Sequence, residues 1–286
     1  MRKVRMLQTH HVVQVLGAAH GRKTLAYWNT GAASRLIIFV HGFGGKPDTT
    51  WPDFPTLLRQ KVGPPPFDYV FFGYDGLRQQ ATNSAKQFLG FLHRFLGDPS
   101  ALVNATIPSL EKRQSFTYDR VVIAAHSLGA VVTRRALLDA HALHAAGKLM
   151  PWLSPVRLVF FAPAHTGAYA AGLVTEALTD QPWYLAKLAG YYARFQSPLL
   201  ADLKEDSQVL RALANDTANI TDRVVPPPYY VRARVLLAED EIVVNNTRFG
   251  VDPVVPPDDV LPTSHTGVCK PRRIDHAALL AVWNEL

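Results

Sequence analysis

The chain has 286 residues, 48% of them hydrophobic and 19% charged, with 30 Lys+Arg against 23 Asp+Glu for a formal net charge of +7. That length buries a substantial core in one large domain or two small ones, and the composition suits a soluble globular enzyme. No apolar run approaches the ~20 residues needed to span a bilayer. A lone cysteine, Cys269, rules out an intramolecular disulfide and a cysteine-based zinc site.

The basic N-terminus Met1-Arg2-Lys3-Val4-Arg5-Met6-Leu7 is followed by Gln8, Thr9, His10 and His11 instead of an apolar h-region. No signal peptide is read there, so a cytoplasmic location is expected. Basic residues are spread along the chain, and the clusters Arg2-Lys3-Arg5 and Lys270-Arg272-Arg273 are short. Without a nucleic-acid motif beside them they read as a solvated surface, and no nucleic-acid partner is expected.

Residues 1–34 predict an opening antiparallel pair, His11–Leu16 and Thr24–Trp28 around a turn. Arg35–Val40 predicts a buried strand. His41-Gly42-Phe43-Gly44-Gly45 follows directly. A glycine-rich loop after a central strand binds phosphate or forms an oxyanion hole. The P-loop spacing is absent, since position 40 is Val and position 47 is Pro, and G-x-G-x-x-G is absent too. The H-G-x-G form fits the oxyanion hole: Gly42 and Gly44 let the backbone approach a substrate, the Phe43 N–H points at the oxyanion, and His41 orients the loop.

Thr49–Val62 predicts a helix capped by Thr49 or Thr50 and ended by Gly63-Pro64-Pro65-Pro66. Tyr69–Tyr74 predicts a strand. Gln79–Leu96 predicts a helix with Phe88, Phe91, Leu92 and Phe95 on one face. Residues 98–119 read as a long irregular connection. Arg120–Ala125 is β-branched and apolar, as a parallel strand covered on both faces should be. Beyond it A-x-S-x-G, Ala125 to Gly129, leads into a helix over Val131–Ala140. Small residues two before and two after Ser127 are what a nucleophile elbow needs, because bulk there would strike the neighbouring strand or helix. The helix that starts at the serine aims unsatisfied N–H groups at a developing anion, with Leu128 N–H the second oxyanion donor.

Val156–Phe161 predicts another buried strand. Strands alternating with helices imply an α/β chain with a parallel sheet covered on both faces. The alternation then stops: Ala168–Ile220 reads as helices over Tyr169–Leu178, Pro182–Phe195 and Asp206–Ala214. That segment, 168–220, is expected to be a helical cap inserted between strands of a single domain, 1–286. Its apolar underside would line an acyl pocket. Tyr230–Leu237 predicts a strand, 245–264 an irregular proline-rich stretch, and Asp275–Trp283 a closing helix.

A serine hydroxyl needs a base, held in one tautomer by a carboxylate. On a doubly wound sheet such groups gather at the carboxyl ends of strands. Glu239, Asp240 and Glu241 follow one strand end. Asp240 before Ile242-Val243-Val244 is favoured as the acid, with Glu239 as runner-up. Of the eleven histidines, His265 lies after the acid in a loop before the last helix. It gives the order Ser, Asp, His. His165, at a central strand end, and His276, in the last helix, compete with it.

These stretches resemble the α/β-hydrolase fold of lipases and esterases. The closest motifs are those of the lipase-like and GPI-inositol deacylase-like branch. His41-Gly42-Phe43-Gly44 resembles its oxyanion loop and His126-Ser127-Leu128-Gly129 its elbow. Phe161-Ala162-Pro163-Ala164-His165-Thr166-Gly167 is similar to its F-x-x-T-P-H-x-G segment, shifted by one residue. Leu200-Ala201-Asp202-Leu203 resembles its cap segment, and Ser264–Pro271 its H-x-x-[IVM]-C-K ending. Ala125 replaces the first glycine of G-x-S-x-G. The resemblance implies a serine esterase or lipase acting on a small-molecule ester or lipid through an acyl-enzyme. It favours His265 over His165. It implies no metal and no cofactor, and it leaves peripheral contact with a membrane surface as an option. An acyltransferase and a non-catalytic binding module on the same fold are the alternatives. Nothing in the pattern sets an oligomeric state.

Overall fold

The structure, a computed structural model, describes residues 11–19, 22–29, 33–47, 49–62, 67–106, 115–169, 201–255 and 259–286. Eight strands form one sheet: β1 (His11–Ala19), β2 (Arg22–Asn29), β3 (Arg35–Val40), β4 (Phe67–Phe72), β5 (Arg120–His126), β6 (Val156–Phe161), β7 (Ala233–Asp240) and β8 (Val260–Ser264). Their order across the sheet is β1-β2-β4-β3-β5-β6-β7-β8. The hairpin β1–β2 is antiparallel and joins β4 antiparallel, while every pair from β4 to β8 is parallel. Together with helices on both faces, this is the α/β-hydrolase fold.

The apolar runs explain the centre. In β4 every residue is buried, and in β3 and β5 all but the first arginine, because parallel strands between two helix layers meet no water. Among the described residues six α-helices flank the sheet: α1 (Phe54–Val62), α2 (Ala81–Gly97), α3 (Pro99–Thr106), α4 (Leu128–Ala145), α5 (Gln208–Arg223) and α6 (Ala277–Glu285). On one face α2, α4 and α5 pack together; on the other α6 lies over β5 and β6 and meets α1. The stripe Phe88, Leu92 and Phe95 on α2 is core, stitched to the sheet through Phe72 and Trp28. No helix among the described residues is long and apolar enough to cross a membrane.

Several boundaries differ from the sequence reading, each for a local reason. The helix expected from Thr49 begins at Phe54, after a bend at 50–53. Part of the supposed connection 98–119 is α3, begun by an Asp98 carboxylate that accepts from the Ala101 amide and the Ser100 hydroxyl. The stretch 245–264 ends in β8, whose Pro262 obscured it; as the outer strand of the sheet β8 tolerates a residue without an N–H. Strand β7 runs to Asp240, three residues beyond the expected end. Of the expected cap helices, Pro182–Phe195 and nearly all of Tyr169–Leu178 lie outside the described residues. Tyr169 itself pairs in extended fashion, its N–H donating to Val243 at 2.7 Å. The third, expected at Asp206–Ala214, is the longer α5, with Ser207 as its N-cap.

The sheet places the site. From β3 the chain crosses to β4 on one side, and from β5 to β6 on the other, so connections diverge at the carboxyl ends of β3 and β5. That divergence leaves a crevice where ligands bind in such sheets. The loops that emerge there are His41–Gly45 and the turn at Ser127.

Candidate active site

Strand β5 ends at His126, and α4 starts at Leu128, leaving one residue to turn the chain. Ser127 takes φ 52° and ψ −121°, a strained backbone for a residue with a Cβ. The turn is fastened on both sides. Its N–H donates to the Phe161 carbonyl at 2.9 Å, and its carbonyl accepts from Ala130 at 3.0 Å and Ala164 at 3.3 Å. Although Ser127 sits at the N-cap, its hydroxyl does not cap the helix, and this buried Oγ makes no hydrogen bond among the described residues.

The small flanking residues are required by contact. A Cβ on Gly129 would stand 2.5 Å from the His41 carbonyl oxygen and 2.6 Å from that of Val40, so α4 rests directly on the end of β3. A Cβ on Gly42 would meet Ser127 Cβ at 2.9 Å and His126 Nδ1 at 3.0 Å. Ala125, where the motif more often has glycine, is fully buried in β5 and fits.

The glycine loop lies over this elbow. Gly44 has φ 63° and donates to the Gly76 carbonyl at 3.3 Å, and Gly45 donates to Gly42 at 3.2 Å. His41 is buried. Its Nδ1–H donates to the Gly42 carbonyl at 2.9 Å, and its ring stacks on Tyr74 with centroids 4.4 Å apart. Tyr74 donates its hydroxyl to the His41 carbonyl at 2.7 Å. A second loop thus braces the first: Tyr74 and Gly76 hold it, and the buried Asp75 carboxylate rigidifies the brace by accepting from the Leu77 and Arg78 amides. Neither Tyr74 nor this brace was read from the sequence. No short motif marks them; the signal was only that Gly73 to Gly76 follows a central strand. Phe43 N–H makes no hydrogen bond among the described residues, and Leu128 N–H, in the first helical turn, has no intrahelical acceptor.

His265 follows β8 with its side chain 3% exposed. Its Nδ1 lies 2.9 Å from Glu241 Oε2, whose side chain is 2% exposed. The second carboxylate oxygen, Glu241 Oε1, accepts from the Val243 amide at 2.7 Å and the Val244 amide at 3.0 Å. The loop carrying them is itself pinned, with Tyr169 and Asn245 amides bonded across to Val243 and Gly167. The carboxylate that meets His265 is therefore Glu241, where the sequence favoured Asp240 and then Glu239. Both of those lie inside β7 with exposed side chains, Asp240 in register with Ser264. The expected strand end at Leu237 was three residues early. The first residue past the actual end is Glu241.

The competing histidines have other work. His165 is buried, stacked on Phe249 at 4.9 Å and edge-on to Phe160. Burial and the neighbouring Arg134 charge push its pKa well below the usual range, so it stays neutral. His276 caps α6, its Nδ1 accepting from the Ala278 amide at 3.2 Å. His126 faces His265: its Nε2 lies 2.8 Å from the His265 carbonyl oxygen and the two rings are 4.7 Å apart.

No protein-family model and no curated protein matches the sequence. Among solved structures, a Bacillus licheniformis lipase in mature form is 14% identical, with a TM-score of 0.49 over 91% of this chain and 93% of that one. A thermostable Pseudomonas putida esterase is 14% identical, with a TM-score of 0.47 over 82% of this chain and 66% of that one. A Legionella pneumophila phospholipase is 19% identical, with a TM-score of 0.43, and the chain spans 38% of its length. At such identities and scores these likenesses carry no weight for a residue or a substrate.

Proposed function

We propose that the protein is a serine carboxylic ester hydrolase in which Ser127 is the nucleophile, His265 the base and Glu241 the carboxylate that orients it. The observation that carries this is the buried 2.9 Å contact between His265 Nδ1 and Glu241, with the His265 carbonyl bonded to His126, the residue before Ser127. Glutamate accepts only, so Nδ1 carries the hydrogen and Nε2 is the bare nitrogen. Nε2 takes the hydroxyl proton as Ser127 Oγ attacks the ester carbonyl. The carbonyl π electrons move to oxygen, which accepts from the Phe43 and Leu128 N–H groups. The imidazolium returns its proton to the departing alcohol, leaving an acyl group on Ser127. Water, deprotonated by the same Nε2, then releases the acid. Glu241 keeps the ring in register and offsets the imidazolium charge.

The motif likeness to the lipase-like branch supports a lipid or other apolar ester as substrate, approached through a cap over 168–220 in a single domain. Hydrolysis of p-nitrophenyl esters of graded chain length tests the reading. Ser127→Ala should abolish turnover and covalent labelling by a fluorophosphonate. Wild-type turnover in that variant sinks it. Added alcohol that diverts most acyl groups to a new ester would instead make the protein an acyltransferase.

A further inference from the structure

We infer that His126 is a positioning residue for the base, fixing where His265 stands relative to Ser127 and the oxyanion loop; this rests on the reading of Ser127 and His265 as nucleophile and base. Glu241 sets the tilt of the His265 ring but not the place of its main chain, which arrives on the last, outer strand of the sheet. His126 supplies that anchor. It is the last residue of β5, paired in register with Phe161 at the centre of the sheet. A carbonyl oxygen only accepts, so the 2.8 Å contact with the His265 carbonyl requires the hydrogen on His126 Nε2. The same ring presents its Nδ1 edge 3.0 Å from where a Cβ on Gly42 would stand. One side chain thus touches the loop of the base and the loop of the oxyanion hole, and it precedes the nucleophile in the chain. Among the described residues, Lys270, His41 and His265 are the charged or titratable groups that act on it, and none of them is a carboxylate. An uncharged ring is what this place tolerates, since a cation here would oppose the imidazolium that forms on His265.

Substitutions separate positioning from simple filling of space. Glutamine carries its amide nitrogen the same number of bonds from Cα as imidazole Nε2, and asparagine carries its own one bond short. Leucine fills the volume with no donor. Turnover of a short p-nitrophenyl ester and the rate of fluorophosphonate labelling are measured for the wild type, His126→Gln, His126→Asn and His126→Leu. Ser127→Ala is the reference. A small displacement of a catalytic group costs up to about 100-fold. The expected result is that Leu and Asn lower kcat by about 10- to 100-fold with KM little changed, that labelling slows in parallel, and that Gln restores most of the rate. Equal rates for folded Gln and Leu variants, whether both intact or both impaired, overturn the inference. If Leu prevents folding, the Gln and Asn pair decides by the same criterion. Full turnover by Ser127→Ala would overturn the site itself, whatever position 126 shows.

Discussion

At Glu241 each carboxylate oxygen has its own task. Oε1 is engaged by two backbone amides and Oε2 by one imidazole, so the group is fixed before any substrate arrives. Replacing the acceptor oxygen with an amide leaves the shape and removes the tautomer control. Glu241→Gln should lower kcat by about 10³- to 10⁴-fold, as loss of an orienting carboxylate does in comparable triads. Asp240→Asn, on an exposed strand position, should stay within about twofold. Steady-state kinetics on one ester measures both, and the reverse order would return the role to Asp240. Of the proposed site, the turn at Ser127, the glycine loop and His265 were candidates in the sequence because each carries a local pattern: a small-residue frame, a glycine run, a histidine before the last helix. The carboxylate that meets His265 was not, because which of three consecutive carboxylates lies past the strand end depends on how far β7 runs.

The elbow helix is held at a fixed height by a buried ion pair. Arg134 on α4 donates to both oxygens of Asp252, at 2.6 and 2.7 Å, and to the Val231 carbonyl at 2.9 Å, while the Ala233 amide donates to the same carboxylate. The guanidinium also lies over the rings of Phe160 and Phe249. Both side chains are at most 1% exposed, so removing one strands a charge in the core. Asp252→Ala should cost about 3–5 kcal/mol, read as a lower denaturant midpoint with unchanged slope. By contrast, breaking the exposed Arg273–Asp275 pair should leave the midpoint where it is. No such element-to-element tie was visible in the sequence, where the spacing of Val131–Ala140 predicts a helix and nothing pairs Arg134 with Asp252. The central strands were visible, because burial on both faces writes an unbroken apolar run. Helix starts were less so. The first amide of α2 is capped by the Asp202 carboxylate, 121 positions away at 2.9 Å, which no local window contains.

Across the whole molecule, buried neutral histidines make stability depend on pH. Burial first, then neighbouring positive charge, pushes His126 and His165 well below their ordinary range. In the unfolded chain each titrates near ~6.5. Below that pH the unfolded state binds protons that the folded state refuses, so stability rises with pH there and falls on acidification. The stabilisation is fully present above about pH 7 and is lost as the pH drops through 6 and 5, toward the depressed folded values. Each histidine so excluded contributes a slope of about 1.4 kcal/mol per pH unit, and the pair roughly twice that. Acidification also adds to a net charge already at +7, which increases self-repulsion in the same direction. The two sites can be told apart. His165 packs between Phe160 and Phe249 and is replaceable by another flat apolar ring. His165→Phe should therefore fold, hydrolyse ester at pH 8 like the wild type, and lose about 1.4 kcal/mol per pH unit of the acid-side slope. Denaturant unfolding at pH 7.5, 6.0 and 5.0 measures it. A slope unchanged by the substitution would mean that the acid sensitivity does not reside in His165.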